Sequence, residues 1–492
     1  MDEGGDSLMF TATPGIFVAD TQALVTSASD FGPRTDATIQ LAINALPSTG
    51  GIIYCDAGIW NFSTGLTITK SGVSLLAAGA GATIFQTTAG HETIAMLTIG
   101  DNINTIADVR IADIQFSSAN QKTANAAIKL QKCLRTHVER IRTQNQFRSI
   151  HVYNSTATWI DDSDLRDTSE NGIVYESTLS NGFDCYLNNV LADNPVVSNN
   201  GAGIAWLGGE NFVIQNCDFE HYTNGFSVAP PANQQCRFGF FVNAEFDTSG
   251  DNGIKISSAG GDIVGLTFTN GWSGTSINYG VLIDGGSGGL TQGIRFVGHK
   301  SLHNGLAGFR IAGGLDIHVD NCDVIANSQT ASGTRSGIEI ASGMASGAFS
   351  IVGCRCTNGW QQGSTQSNGI NFDAATYTNG LVADCMLAGN VNNGLALNGA
   401  SGSGFKIKNN TGYNPVGVLG PPAVPATGVA YTNAYGVDCT VYISLAGATI
   451  SAISIGGSST GETTAGAYRV AAGQTITIAY TVATPTWTWF GD

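Results

Sequence analysis

Two stretches of the chain carry acids around a phenylalanine in the same arrangement: Asp218-Phe219-Glu220-His221 and Glu245-Phe246-Asp247-Thr248. Alternate side chains of a strand point to opposite faces. If Phe219 and Phe246 turn inward, then Asp218, Glu220, Glu245 and Asp247 turn outward. On neighbouring strands, ~4.8 Å apart, Glu220 would lie beside Asp247 and Asp218 beside Glu245. Carboxyls ~5 Å apart suit a retaining glycosidase, whereas diagonal pairs such as Asp218–Asp247 reach the ~6.5–9.5 Å of an inverting one. Crowded carboxylates also repel, which drives one of them to hold the proton that a general acid delivers. Glu220 and Asp247 are the first choice for acid and partner, with Asp218 and Glu245 as alternates. Trp206, Tyr222 and Trp272 lie near these acids in the expected rungs and could stack on sugar rings, and His221 could assist proton transfer. Arg166 and Asp167, from the earlier stretch Asp164-Leu165-Arg166-Asp167, complete the expected substrate-binding set. Thr267-Phe268-Thr269-Asn270 follows without charge, and its phenylalanine is expected to continue the inward stack.

Such a site needs strands repeated in register. From about residue 128 a glycine followed by an apolar residue recurs: Asn171-Gly172-Ile173, Gly203-Ile204, Asn224-Gly225-Phe226, Asn252-Gly253-Ile254, Gly280-Val281, Gly308-Phe309, Gly337-Ile338, Asn368-Gly369-Ile370 and Asn393-Gly394-Leu395. The spacing is irregular but stays within the length of one three-strand turn. Between these glycines run short alternating stretches such as Phe212-Val213-Ile214 and Phe405-Lys406-Ile407, the signature of strands with one buried face. The repeat predicts stacked rungs, with Asn-Gly supplying positive φ at each corner. Cys217, Cys322, Cys354 and Cys385 hold equivalent inward positions and are expected to be buried and unbridged.

At the other end of the repeat, Thr35-Asp36 reads as a helix N-cap. Ile39, Ala42, Ile43 and Leu46 follow at helical spacing, and Pro47 stops the run. This helix is expected to cap the open end of the stack, with Gly50-Gly51-Ile52-Ile53-Tyr54 opening the first strand. After Tyr413, Asn414-Pro415 and Pro421, Pro422 and Pro425 read as a linker or strand edge. The alternating runs Thr440–Ile443, Tyr468–Val470 and Thr475–Tyr480 and the aromatic end Trp487-Thr488-Trp489-Phe490 then read as a small β-domain.

Composition narrows the partners. The chain has 492 residues, of which 65 are glycine and 12% are charged, and its formal net charge is −16. An acidic surface repels a phosphate backbone, so nucleic acid is not an expected partner. One basic stretch, Lys122 to Arg148, reads as a solvated or inter-subunit face, or alternatively as a patch for an acidic sugar. No run approaches the ~18 apolar residues of a membrane span, and the acidic start lacks the apolar core of a secretory signal. No cofactor or metal is expected. Asp161, Asp162 and Asp164 cluster with Asp167, and Asp167-x-Ser169-x-Asn171-Gly172 begins like a calcium loop, but its twelfth position is Thr178 rather than Glu.

The run Thr35-Asp36-Ala37-Thr38-Ile39-Gln40-Leu41-Ala42-Ile43-Asn44-Ala45, followed by Gly50-Gly51-Ile52-Ile53-Tyr54, resembles the opening of the pectate-lyase-like phage tailspike family. The family's Pro-x-Gly-x-Tyr turn becomes Asp56-Ala57-Gly58-Ile59-Trp60 here, which keeps the glycine and an aromatic. The resemblance implies an all-β fold: a single-stranded right-handed parallel β-helix, with neck 1–34, β-helix and capping helix 35–412, and C-terminal β-domain 413–492 for trimerisation or glycan binding. It also implies a homotrimer on a virion tail, or alternatively a secreted protein, acting on bacterial capsular, exo- or lipopolysaccharide. A depolymerase hydrolysing glycosidic bonds is the leading expectation. A non-catalytic receptor-binding spike and a polysaccharide lyase or epimerase are the alternatives, since the family holds all of these.

Overall fold

The structure, a computed structural model, describes residues 17–19, 23–28, 32–178, 182–195, 201–285, 288–359, 365–402, 404–413 and 417–491. Most of the expected neck, and Asn414-Pro415 of the expected linker, lie outside the described residues. The chain forms two compact units, Met1–Glu176 with Asn181–Val197, and Ser177–Ser180 with Ser198–Asp492.

In the first unit the expected helix spans Asp36–Ala45, and the Thr35 side chain accepts from the Thr38 N–H. Ile39, Ala42 and Ile43 are buried, and the helix packs on strands Gly58–Phe62 and Leu66–Ile68. Asp36 pins it there. Its carboxylate accepts the backbone N–H groups of Ser63, Thr64 and Gly65 at 2.8, 2.6 and 2.8 Å. Burial pushes this carboxyl's pKa up, but those hydrogen bonds outweigh burial and leave it below the usual range. Gly51–Cys55 is not the first strand, because Ala23–Ser27 precedes it and pairs with it in parallel.

Parallel ladders then build the rungs. On one face Gly51–Cys55, Val73–Ala77, Ile106–Ala112, Cys133–Glu139, Thr156–Arg166 and Phe183–Asp193 follow one another. A second face runs from Leu66–Ile68 through Leu97–Ile99, Ala126–Gln131 and Arg148–Tyr153 to Ile173–Glu176. A third carries Gly58–Phe62, Thr83–Thr87, Gln115–Ser118 and Arg142–Gln144. Trp60, the aromatic of the altered turn, is fully buried and donates its indole N–H to the Asp56 carbonyl at 3.1 Å.

The second unit continues the plan with three ladders of its own. One contains the short strands Asp218–Glu220, Glu245–Asp247, Trp272–Gly274, Lys300–Leu302, Asp323–Ile325 and Arg355–Thr357. The parallel β-helix is therefore the architecture of both units. Residues 417–491 form two antiparallel four-stranded sheets that share a core of Val441, Ile453, Val470, Ile478 and Trp489. The proline stretch between the strands Gly417–Leu419 and Ala430–Thr432 is not a loose linker. The Trp487 indole donates to the Pro422 carbonyl at 2.8 Å, and the Tyr480 hydroxyl donates to that of Pro425 at 2.9 Å.

The recurring glycines serve close approach rather than left-handed corners. Gly203, Gly225, Gly253, Gly280, Gly308, Gly337, Gly369 and Gly394 form a column in which a Cβ on each would strike the backbone carbonyl of the next rung's glycine. At Gly225 such a Cβ would also stand 2.7 Å from that of Phe246. The left-handed residues fall elsewhere, at Asn216, Asn243, Asn270 and Asn321 before one set of short strands, and at His221, Thr248, Thr275 and His303 after it.

All ten cysteines are buried and unbridged. The backbone ladder Glu245 N–H to Cys217, Trp272 to Ala244, Lys300 to Gly271, Asp323 to His299, Arg355 to Cys322 and Met386 to Cys354 fixes their column. Cys322, Cys354 and Cys385 adjoin, while Cys217 is separated from them by Ala244, Gly271 and His299. The basic stretch is neutralised rung to rung: Arg135 pairs with Asp108, Arg140 with Asp113, Arg142 with Asp164 and Arg148 with Glu170. Lys122 is buried, with its ammonium on the Ile94 carbonyl at 2.6 Å.

Candidate active site

Asp218–Glu220 and Glu245–Asp247 are adjacent parallel strands in the expected register: Asp218 opposite Glu245, Phe219 opposite Phe246, and Glu220 opposite Asp247. Each strand has only three residues because left-handed residues bracket it, Asn216 and His221 on one rung, Asn243 and Thr248 on the next. Phe219 and Phe246 are fully buried and stacked, with ring centroids 5.8 Å apart. Pressed against the glycine column, the two rings hold both strands in place, and the four carboxylates face outward.

The inward stack does not continue to Phe268. That ring belongs to a different ladder, between Phe241 at 4.3 Å and Phe296 at 4.6 Å. The residue after Phe246 in the column is Ser273, a polar side chain kept inside by a 2.9 Å hydrogen bond to the buried His299 ring. Matching by sequence shape favoured the nearer phenylalanine, whereas a step equal to that from Phe219 to Phe246 places Trp272-Ser273-Gly274 on the next rung.

The column through Asp218 runs Asp218, Glu245, Trp272, Lys300, Asp323, Arg355. Farther along it charges alternate, and Arg355 binds Asp323 at 3.0 Å. At Asp218 and Glu245 two acids adjoin instead. Like charges directly opposite on neighbouring strands are destabilising, so such a pair marks a candidate for chemistry. The effect shows at Asp218: partial burial first, then the charges of Glu220, Glu245 and Asp247, push its carboxyl up to about 7. One of its oxygens is buried without a hydrogen-bond partner. Asp247 is held differently, as an acceptor of the Thr248 N–H at 2.7 Å and of a short hydrogen bond from the Thr275 hydroxyl. The His221 ring stands 4.0 Å from the Glu220 carboxylate.

Trp272 floors this square. It follows Glu245 in register, and beneath Asp247 lies Gly274, where a Cβ would come within 2.2 Å of the Trp272 indole nitrogen. The missing side chain makes room for the indole, which packs on Leu302, Ile325 and Ala326.

Two expected sugar-stacking residues are corrected. Trp206 is fully buried, packed on Phe212 and Phe241, with its N–H on the Gly208 carbonyl at 3.2 Å. Tyr222 is 1% exposed. Both are core, because aromatic area is most stabilising when removed from water. Arg166 and Asp167 belong to the first unit, where Arg166 binds Asp164 at 2.7 Å and Asp193 at 3.7 Å. Two acids of the cluster that precedes the calcium-like run are engaged as well, Asp162 by Asn189 and Asp164 by Arg142 and Arg166.

Sequence reasoning missed an outward aromatic ladder in the first unit: His137, Trp159 and Tyr186, in register on three successive strands. Each precedes an inward aliphatic residue, Val138, Ile160 and Leu187, and that pairing was the available signal.

No protein-family model and no curated protein sequence matches the chain. Solved structures do. The A-module of mannuronan C-5 epimerase AlgE4 from Azotobacter vinelandii superposes with a TM-score of 0.53 at 17% identity, over 79% of this chain and 100% of that one. The N-terminal fragment of gene product 12 of bacteriophage Phi29 does so with 0.55 at 11% identity, over 77% of this chain and 71% of that one. The chain is a parallel β-helix like these two. Tailspike protein 3 of bacteriophage CBA120 is a more distant match, with a TM-score of 0.40 at 13% identity over 86% of this chain and 69% of that one. At these identities the likeness is one of fold. No helix among the described residues is long and apolar enough to cross a membrane.

Proposed function

We propose that this β-helix is a phage spike that hydrolyses a bacterial surface polysaccharide, with Asp218 as general acid and Asp247 as general base. The observation that carries the reading is the acid square itself, in which one carboxyl holds its proton near neutral pH while its diagonal neighbour is fixed as an acceptor. Strand spacing and residue rise put diagonal positions ~8 Å apart, within the range of inverting glycosidases. In this mechanism the Asp218 proton passes to the glycosidic oxygen as the bond to the anomeric carbon breaks. Asp247 takes a proton from the water that attacks the opposite face. Burial, and then the charges of Glu220 and Glu245, keep Asp218 protonated, and the Trp272 indole offers an apolar floor.

The neighbours support the substrate class and setting. The epimerase is named for a polysaccharide, and gene product 12 belongs to a phage. A homotrimer agrees with the aromatic strands of residues 417–491, where Val418 and Tyr442 are exposed. The test is incubation with panels of capsular, exo- and lipopolysaccharides. Release of reducing ends with inverted anomeric configuration is expected, and Asp218→Asn and Asp247→Asn should each slow it ~10²–10⁴-fold. Binding without cleavage would favour a receptor-binding spike. An unsaturated product or an inverted C5 centre would favour a lyase or epimerase.

A further inference from the structure

His137, Trp159 and Tyr186 stack on the outer face of the first unit, with centroids 4.4 and 5.6 Å apart and ring planes within 6° and 11° of parallel. His137 is exposed, and Trp159 and Tyr186 are half-buried. Arg110 is in register with His137 on the preceding strand, but its guanidinium turns aside to Glu139. A depression of about 260 Å³ opens beside them, lined by Asp108, Val109, Arg110, Arg135, His137 and Trp159. Its far wall is a planar pair, Arg135 bound through two nitrogens to both oxygens of Asp108 at 2.6 and 2.8 Å. Left-handed φ at both residues kinks the two strands together and sets this pair to one side of the ladder.

Sugar rings are recognised by an apolar aromatic wall and a few fixed polar groups. The charges here select among sugars. Arg110, Arg135 and Arg140 are each bound to an acid, Glu139, Asp108 and Asp113 respectively. Asp161, in register with Glu139, adds another carboxyl, which burial and then the charge of Asp162 hold above the usual range. No cation of this patch is left over for a uronate, and an anionic sugar would meet net negative charge.

We propose that this ladder is a second glycan-binding surface, separate from the acid square, that holds an uncharged stretch of a polysaccharide between its aromatic wall and the Arg135–Asp108 pair. The proposal rests on the polysaccharide reading and adds a place and a charge class to it. The test is affinity electrophoresis in gels containing neutral or uronate-bearing capsular, exo- and lipopolysaccharides, using wild type, Asp218→Asn, Trp159→Ala and Arg135→Ala, with circular dichroism to check folding. The ladder variants are compared both in the wild-type chain and in the Asp218→Asn background, where the gel polymer stays uncut. Trp159→Ala and Arg135→Ala should each bind ~10-fold or more weakly, the scale of one lost aromatic or paired polar contact. Arg135 is exposed, so its variant keeps the test valid if Trp159→Ala misfolds. Unchanged binding in folded Arg135→Ala and Trp159→Ala, or tighter binding of uronate polymers than of neutral ones, would overturn the proposal while leaving the hydrolase reading intact. Failure of wild type to bind or cut any polymer of the panel would remove both.

Discussion

Replacing Asp218 by asparagine preserves the shape of the side chain and removes its proton. The folded carboxyl stands at about 7 against an ordinary 3.8. At ~1.36 kcal/mol per pKa unit this corresponds to ~4 kcal/mol against the ionised folded site. The side chain is partly exposed, so screening reduces the figure to ~2 kcal/mol. The sign follows from proton binding: the folded state holds this proton more tightly than the unfolded one. The contribution is whole below ~pH 4, falls as pH rises and is lost above ~pH 7. Asparagine has no such dependence. Between pH 5 and 8.5 the variant should therefore gain on wild type by about 1–1.5 kcal/mol, read as roughly 1–3 °C in melting temperature. Over the same range wild-type kcat/KM should fall above ~pH 7 as the acid loses its proton, and the variant should run ~10²–10⁴-fold slower. Glu220→Gln removes the repelling charge with the largest effect on Asp218 and should move the alkaline limb to lower pH. Identical pH dependence of melting in wild type and Asp218→Asn would refute the reasoning, because no proton would then be held by this site on folding.

Four further outcomes follow. Trp206→Ala opens a cavity in a packed core and should cost about 3–5 kcal/mol, seen as a large drop in melting temperature. Asp36→Asn breaks the anion that pins the capping helix and should destabilise by about 2–3 kcal/mol at pH 7; because that carboxyl's pKa is lowered, the difference should fade as pH drops below ~4. A thiol reagent should label none of the ten cysteines rapidly in native buffer and all of them in denaturant. Light scattering should report a trimer for the full chain and a smaller species after deletion of residues 414–492.

The fold and the acid register were legible because they depend on local order. Thr35, Ile39 and Ile43 spell a capped helix, and the shared pattern around Phe219 and Phe246 fixes which acids meet. What was illegible depends on packing between faces. The recurring glycines looked like corners, yet Gly203 and Gly225 face the Phe219 and Phe246 side chains across the interior, a contact no local pattern encodes. Trp206 and Trp272 look alike in sequence. One is enclosed by Phe212 and Phe241, and the other lies over a glycine at the surface, a difference set by residues on other rungs. Asp218 was ranked behind Glu220 because position alone cannot say which carboxyl is desolvated.

The acids of the square come from consecutive rungs, and the pitch of the sheet alone sets their separation. This bears on how such a chain can change over generations. A tandem duplication of one whole rung would arrive already in phase, adding another row of the same side chains at the same distance without rebuilding a pocket. Loss of a rung elsewhere would shorten the protein and leave the square as it was. Insertions of partial rungs would throw every later column out of step, so selection should confine length variation among descendants to whole rungs and to the loops between strands. A family built this way can relocate or multiply its chemistry by copying, with the glycine column keeping each copy in place.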